Sequence, residues 1–479
     1  MTILRPYPKY KPSGIDWLEE VPAHWSTLPL RRVASVIASN VDKHIVEGEI
    51  PVSLCNYTDV YYNRHITSDI EFSKGTVSPE ELARFQLLPG DVLITKDSES
   101  WDDIAVPAVV IDALPNVVCG YHLSRIRPDP VLDGRFLAYW IGSEDGAIHF
   151  KVLANGVTRF GLGANAIKSA GVPLPPLDEQ RAIADFLDAM NEKIARFIAA
   201  RRRMIAVLEE QKGAIINQAV TRGLDPDVPL KPSGIDWLGD IPAHWEILPL
   251  GRLVKIAGGM TPSKSNVGYW TGTVPWISPK DMKSSRITSA VDYISEQAVR
   301  ETGLAIVPLQ SILIVVRGMI LARKVPVAVT EIPLTINQDM KALISKPAID
   351  PNFLARQLEV AQDALFPLID EAGHGTRRLP TPALLGLQLP VPSKGEQAGI
   401  VAHIDNATST ISETIARHWR EIELMQEYRT RLISDVVTGT LDVRNLDFRI
   451  LKKSGNALVD LTLADKTADE EVIGAGPAQ

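Results

Sequence analysis

Two cysteines, Cys55 and Cys119, are all that 479 residues provide. Neither has a neighbour at zinc-ligand spacing, so free thiols in a reducing cytoplasm are expected. No apolar run approaches the about 18 residues of a membrane-spanning helix, and Met1-Thr-Ile-Leu-Arg-Pro lacks the apolar core of a signal peptide. There is no GxxxxGK[ST] loop, so this chain is not expected to hydrolyse ATP. No HExxH or CxxC occurs. Gly161-Leu-Gly163 lacks the third glycine and the strand–turn–helix setting that a dinucleotide needs. A nuclease centre wants paired carboxylates and a lysine around a metal. Asp91 and Lys96 come nearest, but Ile94 stands where the second carboxylate is required. His24 and His244 match between the two halves of the chain yet bring no further ligands. No catalytic, metal-binding or cofactor-binding residue is therefore assigned.

A basic excess is missing too. The net charge is −8, whereas nucleic-acid binders usually carry the opposite sign. From Asp460 onward, Asp460, Asp465, Asp469, Glu470 and Glu471 face only Lys466. Half of the acidic excess thus sits on a tail expected to be partly disordered. The remainder is near neutral, which neither supports nor opposes DNA binding.

What is present is duplication. Asp178 to Arg222 contains no proline, and its apolar residues Ile183, Leu187, Met190, Ile194, Phe197, Met204, Leu208 and Ile215 recur in alternating steps of four and three, apart from gaps at Arg201 and Gln211. That is a heptad seam, expected to form a helix of about 65 Å lying lengthwise on another. The stretch returns at a constant offset as Gly395 to Gly439, with Glu179-Gln180 matching Glu396-Gln397; Ile404, Ile411, Met425 and Leu432 keep the seam, which His418, Glu421 and Asp435 interrupt. A whole module separates the helices, so the second is expected to run back along the first, antiparallel. Around them Lys11-Pro-Ser-Gly-Ile-Asp-Trp-Leu18 recurs letter for letter as Lys231 to Leu238, and Pro22-Ala-His-Trp25 as Pro242 to Trp245.

Each module follows one skeleton. Asp91–Ile94 and Ser311–Ile314 read as buried strands, followed by Ala105–Ile111 and Val325–Val329, then Val117–Ile126 and Thr335–Ile344. Helices over Arg135–Leu153 and Asn352–Ile369 close them. The expected boundaries are a first module at 1–175, a helix at 176–224, a second module at 225–390, a second helix at 391–442 and a tail at 443–479. The fold class is α+β: two duplicated α/β modules with two long helices. A common skeleton with divergent loops suits two recognition modules that read two targets.

These residues resemble the DNA specificity subunits of type I restriction–modification systems. The resemblance rests on the repeated opening segment, on Gly258-Gly-Met-Thr-Pro-Ser263 with Tyr269-Trp270 and Pro275-Trp-Ile-Ser278, on Ile336-Asn-Gln-Asp339, and on Leu174-Pro-Pro-Leu-Asp-Glu-Gln180. The second exit, Val391-Pro-Ser-Lys-Gly-Glu-Gln397, departs from that pattern. The resemblance implies two target-recognition domains held apart by an antiparallel helix pair, each reading one half of a split DNA sequence. It also implies DNA methyltransferase partners on this framework and an ATP-dependent translocase–endonuclease, with S-adenosylmethionine, ATP and Mg bound by those subunits.

The best DNA-reading candidates differ between modules, lie on loops and carry donors or planar faces. They are Asn56, Tyr57, Arg64, Lys96 and Trp101 in the first module, and Lys264, Ser265, Lys280, Lys283, Arg286 and Arg317 in the second. The shared Thr158-Arg159 and Thr376-Arg377 suit phosphate positioning. Trp17, Trp25, Trp237 and Trp245 are expected in the core, because identical residues cannot tell two targets apart. Arg201-Arg-Arg203 is expected on a solvated helix face. The competing readings are a coiled-coil scaffold without DNA reading, which leaves the divergent loops unexplained, and a stand-alone enzyme, which lacks its catalytic groups.

Overall fold

The computed structural model describes residues 5–372 and 376–444; the acidic tail lies outside them. The chain divides into two compact units, one made of residues up to 201 with those from 420 onward, the other of residues 202–419.

In the first unit Val92-Leu-Ile-Thr95 is buried along its whole length, as a strand covered on both faces must be. The strands of its two larger sheets are β1 (Ala34–Ala38), β2 (Ile50–Cys55), β3 (His65–Ile66), β4 (Ser73–Val77), β5 (Val92–Thr95), β6 (Pro107–Val110), β7 (Val117–Cys119) and β8 (Leu123–Pro128). A five-stranded sheet runs β1-β8-β5-β6-β3, antiparallel except for the β6/β3 pair. A three-stranded sheet runs β7-β2-β4, with β7 parallel to β2. Helix α1 (Gly134–Ile141) lays Phe136 and Leu137 in one core with Val92, Ile94 and Val109. The long helix α2 (Leu177–Arg222) follows.

The second module repeats this topology. Its strands are β9 (Val254–Gly258), β10 (Val274–Ile277), β11 (Arg286–Ile287), β12 (Asp292–Ile294), β13 (Ile312–Val315), β14 (Val327–Thr330), β15 (Thr335–Ile336) and β16 (Met340–Ser345). They form sheets β9-β16-β13-β14-β11 and β12-β10-β15. Helices α3 (Pro351–Val360) and α4 (Lys394–Val437) complete the unit. Four expected elements differ, the helix Asn352–Ile369 among them, which stops at Val360 and resumes as the short helix Gln362–Leu365. Val117–Ile126 and Thr335–Ile344 are not single strands: each breaks at a turn, Gly120–His122 and Asn337–Asp339, because the two halves join different sheets. The expected helix Arg135–Leu153 also breaks, at Gly142–Ser143, where the Ser143 hydroxyl accepts the Gly146 N–H and starts a new helix.

The long helices run antiparallel within each unit. In the first, Ile183, Phe186, Leu187 and Met190 share a core with Leu432, Ile433, Val436 and Val437, and Arg201 pairs with Glu421 at 2.7 Å. In the second, Ile216, Ala219 and Val220 share a core with Ile400 and Ile404. Of the expected seam, Leu187, Met190, Ile194, Ile404 and Leu432 are buried, while Ile411 and Met425 are half-buried. Phe197, Leu208 and Ile215 are only half-buried, and Met204 is exposed; Ile198, Ile205 and Ile216 are buried in their place. At 3.6 residues per turn a helix drifts about 20° per heptad. After some heptads the next residue along therefore faces inward better than the heptad position does. Arg201, expected in solvent, is half-buried against Glu421 and the Phe197 ring.

Candidate nucleic-acid interface

The residues repeated between modules hold the frame. Trp25 and Trp245 are buried, and each indole N–H donates to a glutamate in the first turn of a long helix: Glu179 at 2.9 Å and Glu396 at 3.2 Å. His24 and His244 reach the same carboxylates through Nε2, both at 2.8 Å. Burial pushes the Glu396 carboxyl up, but hydrogen bonds from His244, Trp245 and Ser393 outweigh it and hold the group at about 2. The adjacent Gln180 is fully buried. Its amide donates to the carbonyls of Val131 (3.0 Å) and Pro175 (2.8 Å), and its oxygen accepts the Asp133 N–H at 2.8 Å. Gln397 does the same with Ala348, Pro392 and Asp350. The exit that departs from the family pattern thus keeps the same contacts. Trp237 is half-buried against the second core, whereas Trp17, expected inside, is 41% exposed.

At one end of each five-stranded sheet three loops converge, and main-chain bonds hold them. In the first module the Lys96 N–H donates to the His122 carbonyl (3.0 Å), and the Leu162 N–H to the Lys96 carbonyl (2.8 Å). In the second, the Val316 N–H donates to the Asp339 carbonyl (2.8 Å), and the Leu379 N–H to the Val316 carbonyl (2.9 Å). Register agrees, since Leu123 faces Thr95 as Met340 faces Val315. Positions 97 and 317 are therefore equivalent, as are 121 and 338, and 122 and 339.

The side chains on this common mouth differ. In the first module Asp97 accepts from Arg159 Nη2 through Oδ1 (2.9 Å) and contacts His122 Nδ1 through Oδ2 (2.9 Å). Lys96 donates to the Ser39 carbonyl at 2.8 Å, lies 4.8 Å from the Tyr121 ring, and has its pKa lowered by burial. Trp101 and Tyr121 are half in solvent, and Thr158 is exposed. Tyr57 stacks on Tyr61 with centroids 5.4 Å apart, and the Asp103 carboxylate beside Tyr61 pushes that phenol up to about 12. Asn56 is occupied locally: its backbone N–H donates to Asp59 and its amide to the Leu54 carbonyl.

In the second module Arg317 and Arg377 are exposed and form no ion pair with any described residue, while Thr376 is half-buried. The Thr261 hydroxyl donates to Gln338 Oε1 at 2.6 Å. The loop carrying Thr261, Lys264 and Ser265 leans close over the turn. A Cβ on Gly259 would lie 1.9 Å from the Ile336 carbonyl oxygen, so only glycine fits there. Lys264 and Ser265 are exposed, with Ser265 bonded to Ser263 at 2.8 Å. Lys280 follows β10 but is held by Asp292 at 2.6 Å.

Three candidates lie elsewhere. Arg64 covers the Tyr139 ring at 4.5 Å, and Tyr139 in turn donates to Asp188 of α2. Arg286 pairs with Glu331 and lines a hollow beside Arg356 and Asp405 of α4. Lys283 lines a larger hollow with Glu209 and Lys212 of α2. All three face their unit's long helix, because β3 and β11 are the edge strands on that side. The reading of loops missed Tyr121, His122 and Gln338, which sit on the turns taken for continuous strand. Aligning the two modules would have exposed them as a position where the residues differ completely. Asp91 is buried and holds Arg127 through two bonds of 2.7 and 2.8 Å. Among the described residues no group of three or more His, Cys, Asp or Glu could hold a metal, and no helix is long and apolar enough to cross a membrane.

The chain is 36% identical over 193 residues to the specificity subunit of the type I restriction enzyme EcoR124I/EcoR124II of Escherichia coli, covering 39% of this chain and 47% of that protein. It thus spans about half the length of that relative. A putative type I restriction enzyme MjaX specificity subunit of Methanocaldococcus jannaschii is 22% identical over 432 residues, 89% of this chain and 95% of that protein. A chain solved in work on complex assembly and conformational transition of the type I R-M system superposes with TM-score 0.58 at 16% identity, over 87% of this chain and 98% of that one, a likeness of fold. The Type I restriction modification DNA specificity domain matches residues 44–201 and again 242–423, and the chain belongs to that family.

Proposed function

We propose that the chain is the non-catalytic specificity subunit of a type I restriction–modification complex. Each module reads one half of a split, asymmetric double-stranded DNA sequence. The long helices seat methyltransferase subunits, and an ATP-dependent translocase–endonuclease joins them; S-adenosylmethionine, ATP and Mg belong to those partners. The observation that carries this reading is a single main-chain frame, built twice, whose mouth bears different side chains at positions 97/317, 121/338 and 122/339. In this reading Lys96, Trp101 and Tyr57 face DNA from the first mouth, and Lys264, Ser265 and Arg317 from the second. Arg159 and Arg377, with the threonines before them, sit at the rims as phosphate contacts. Lys280 is neutralised and contributes little. Arg64, Lys283 and Arg286 serve the junction of module and helix instead.

The test is replacement of residues 33–155 by the equivalent stretch of a relative. Sites methylated in cells carrying the hybrid and its partner subunits should change in one half of the motif only. Simultaneous change of both halves would refute independent readers, and assembly with partners but no motif would favour a plain scaffold.

A further inference from the structure

The two mouths differ in hydrogen-bond polarity at one equivalent position. In the first module that position is Asp97, an acceptor whose carboxylate side chain is 18% exposed. It is oriented from one side by Arg159 and from the other by His122. Its partners use one direction on each oxygen, and a carboxylate offers about four acceptor sites in all. In the second module the position is Arg317, an exposed donor with no acidic partner among the described residues. The turn beside it carries Gln338, whose oxygen is engaged by Thr261 and whose amide N–H groups have no side-chain acceptor among the described residues. Asp339, which replaces His122, accepts from Asn337 at 3.0 Å.

We propose that position 97/317 is the base-selecting position of each module: Arg317 reads a guanine in one half-site, and Asp97 reads an exocyclic amino group, of cytosine or adenine, in the other. The inference rests on the DNA-reading function given above and names the residue and base class for each module. The chemistry follows from the major-groove edges of the bases. Guanine presents two acceptors there, which the two-pronged Arg fork matches; cytosine and adenine present an amino donor, which only an acceptor can hold. Arg159, occupied by Asp97, cannot act as a second free fork in the first mouth, whereas Arg377, at the rim of the second, pairs with no acidic group among the described residues. Arg317 itself offers only donors, so a base amino group set directly against its fork would leave two donors facing each other.

A randomised duplex library, selected by the full-length chain together with its methylation partner, tests this. Arg317→Ala should turn one guanine of one half-site into any base, lowering discrimination there by roughly five- to a hundred-and-fiftyfold, with the other half unchanged. Asp97→Asn should relax one C or A position in the opposite half. Arg377→Ala should weaken all sequences alike. Retention of every guanine preference by Arg317→Ala, or an equal loss on all sequences, overturns the inference while leaving the split-motif function standing. A wild-type chain that enriches no split motif overturns the function itself, and the inference with it.

Discussion

Gln180→Glu changes one buried amide NH2 into an oxygen and nothing else in size. The native amide nitrogen donates to two carbonyls, those of Val131 and Pro175, and the side chain is 0% exposed. An ionised carboxylate would point its charge at both carbonyl oxygens without solvent, so the folded state instead takes up a proton. Holding a glutamic acid neutral at pH 7 against a free pKa of about 4.3 costs about 3.7 kcal/mol, at about 1.36 per unit. The protonated acid replaces one of two donated bonds, which adds about 1 kcal/mol. The folded pKa is raised, so the ionisation penalty is absent below about pH 4.3 and grows as pH rises. The expected loss is therefore about 5 kcal/mol at pH 7 and about 1 kcal/mol near pH 4. Hydrogen exchange of residues 177–190 as a function of pH reads it locally. Gln397→Glu should place the same lesion in the second unit. Wild-type protection at pH 7, or a deficit that does not shrink on acidification, would refute the reasoning.

Arg127→Met leaves the Asp91 charge buried and unpaired, and should cost about 3–5 kcal/mol in chemical denaturation of the first unit; a loss under 1 kcal/mol would mean that water reaches Asp91. Ile205→Asp, at a buried seam position, should destabilise the second unit by several kcal/mol, whereas Met204→Asp beside it, 48% exposed, should change its urea midpoint little. Glu396 is held near 2 against an ordinary 4.5, so its hydrogen bonds contribute fully above about pH 4.5 and are lost as pH falls toward 2. The carboxylate is 37% exposed, and screening reduces the effect. Between those pH values the second unit should lose less stability in Glu396→Gln than in wild type, as read by thermal melts.

Elements governed by local pattern were legible in the sequence. The long helices begin and end within a few residues of expectation, because a proline-free run with three-four spacing admits little else. The central strands were legible for the same reason: Val92-Leu-Ile and Ile312-Leu-Ile have no polar face to offer. The turns were not. Val117-Val-Cys-Gly-Tyr-His-Leu carries weak punctuation, and its break is fixed by partners far along the chain, the Gly120 N–H on the Cys55 carbonyl and the Lys96 N–H on the His122 carbonyl. Those turns carry Tyr121, His122 and Gln338, so half of each candidate mouth went unseen. The setting of Arg64 was hidden differently: an arginine beside a short edge strand looks solvent-facing until Tyr139 arrives beneath it.

The first unit is discontinuous, and this sets an order of synthesis. Residues up to 201 leave the ribosome before the 202–419 stretch, which closes as a unit by itself. Until the segment from 420 onward emerges, Ile183, Phe186, Leu187 and Met190 lack the Leu432, Ile433, Val436 and Val437 that complete their core, and Tyr10 lacks the Gly439 carbonyl to which it donates. The earlier-made half therefore waits, apolar stripe exposed, through the translation of more than two hundred residues, a time of roughly 10–40 s at about 5–20 residues per second. Nascent chains stalled near residue 419 should be captured by chaperones and cut by protease in the first unit but not in the second. The helix that finishes last is thus the step at which the first unit becomes soluble.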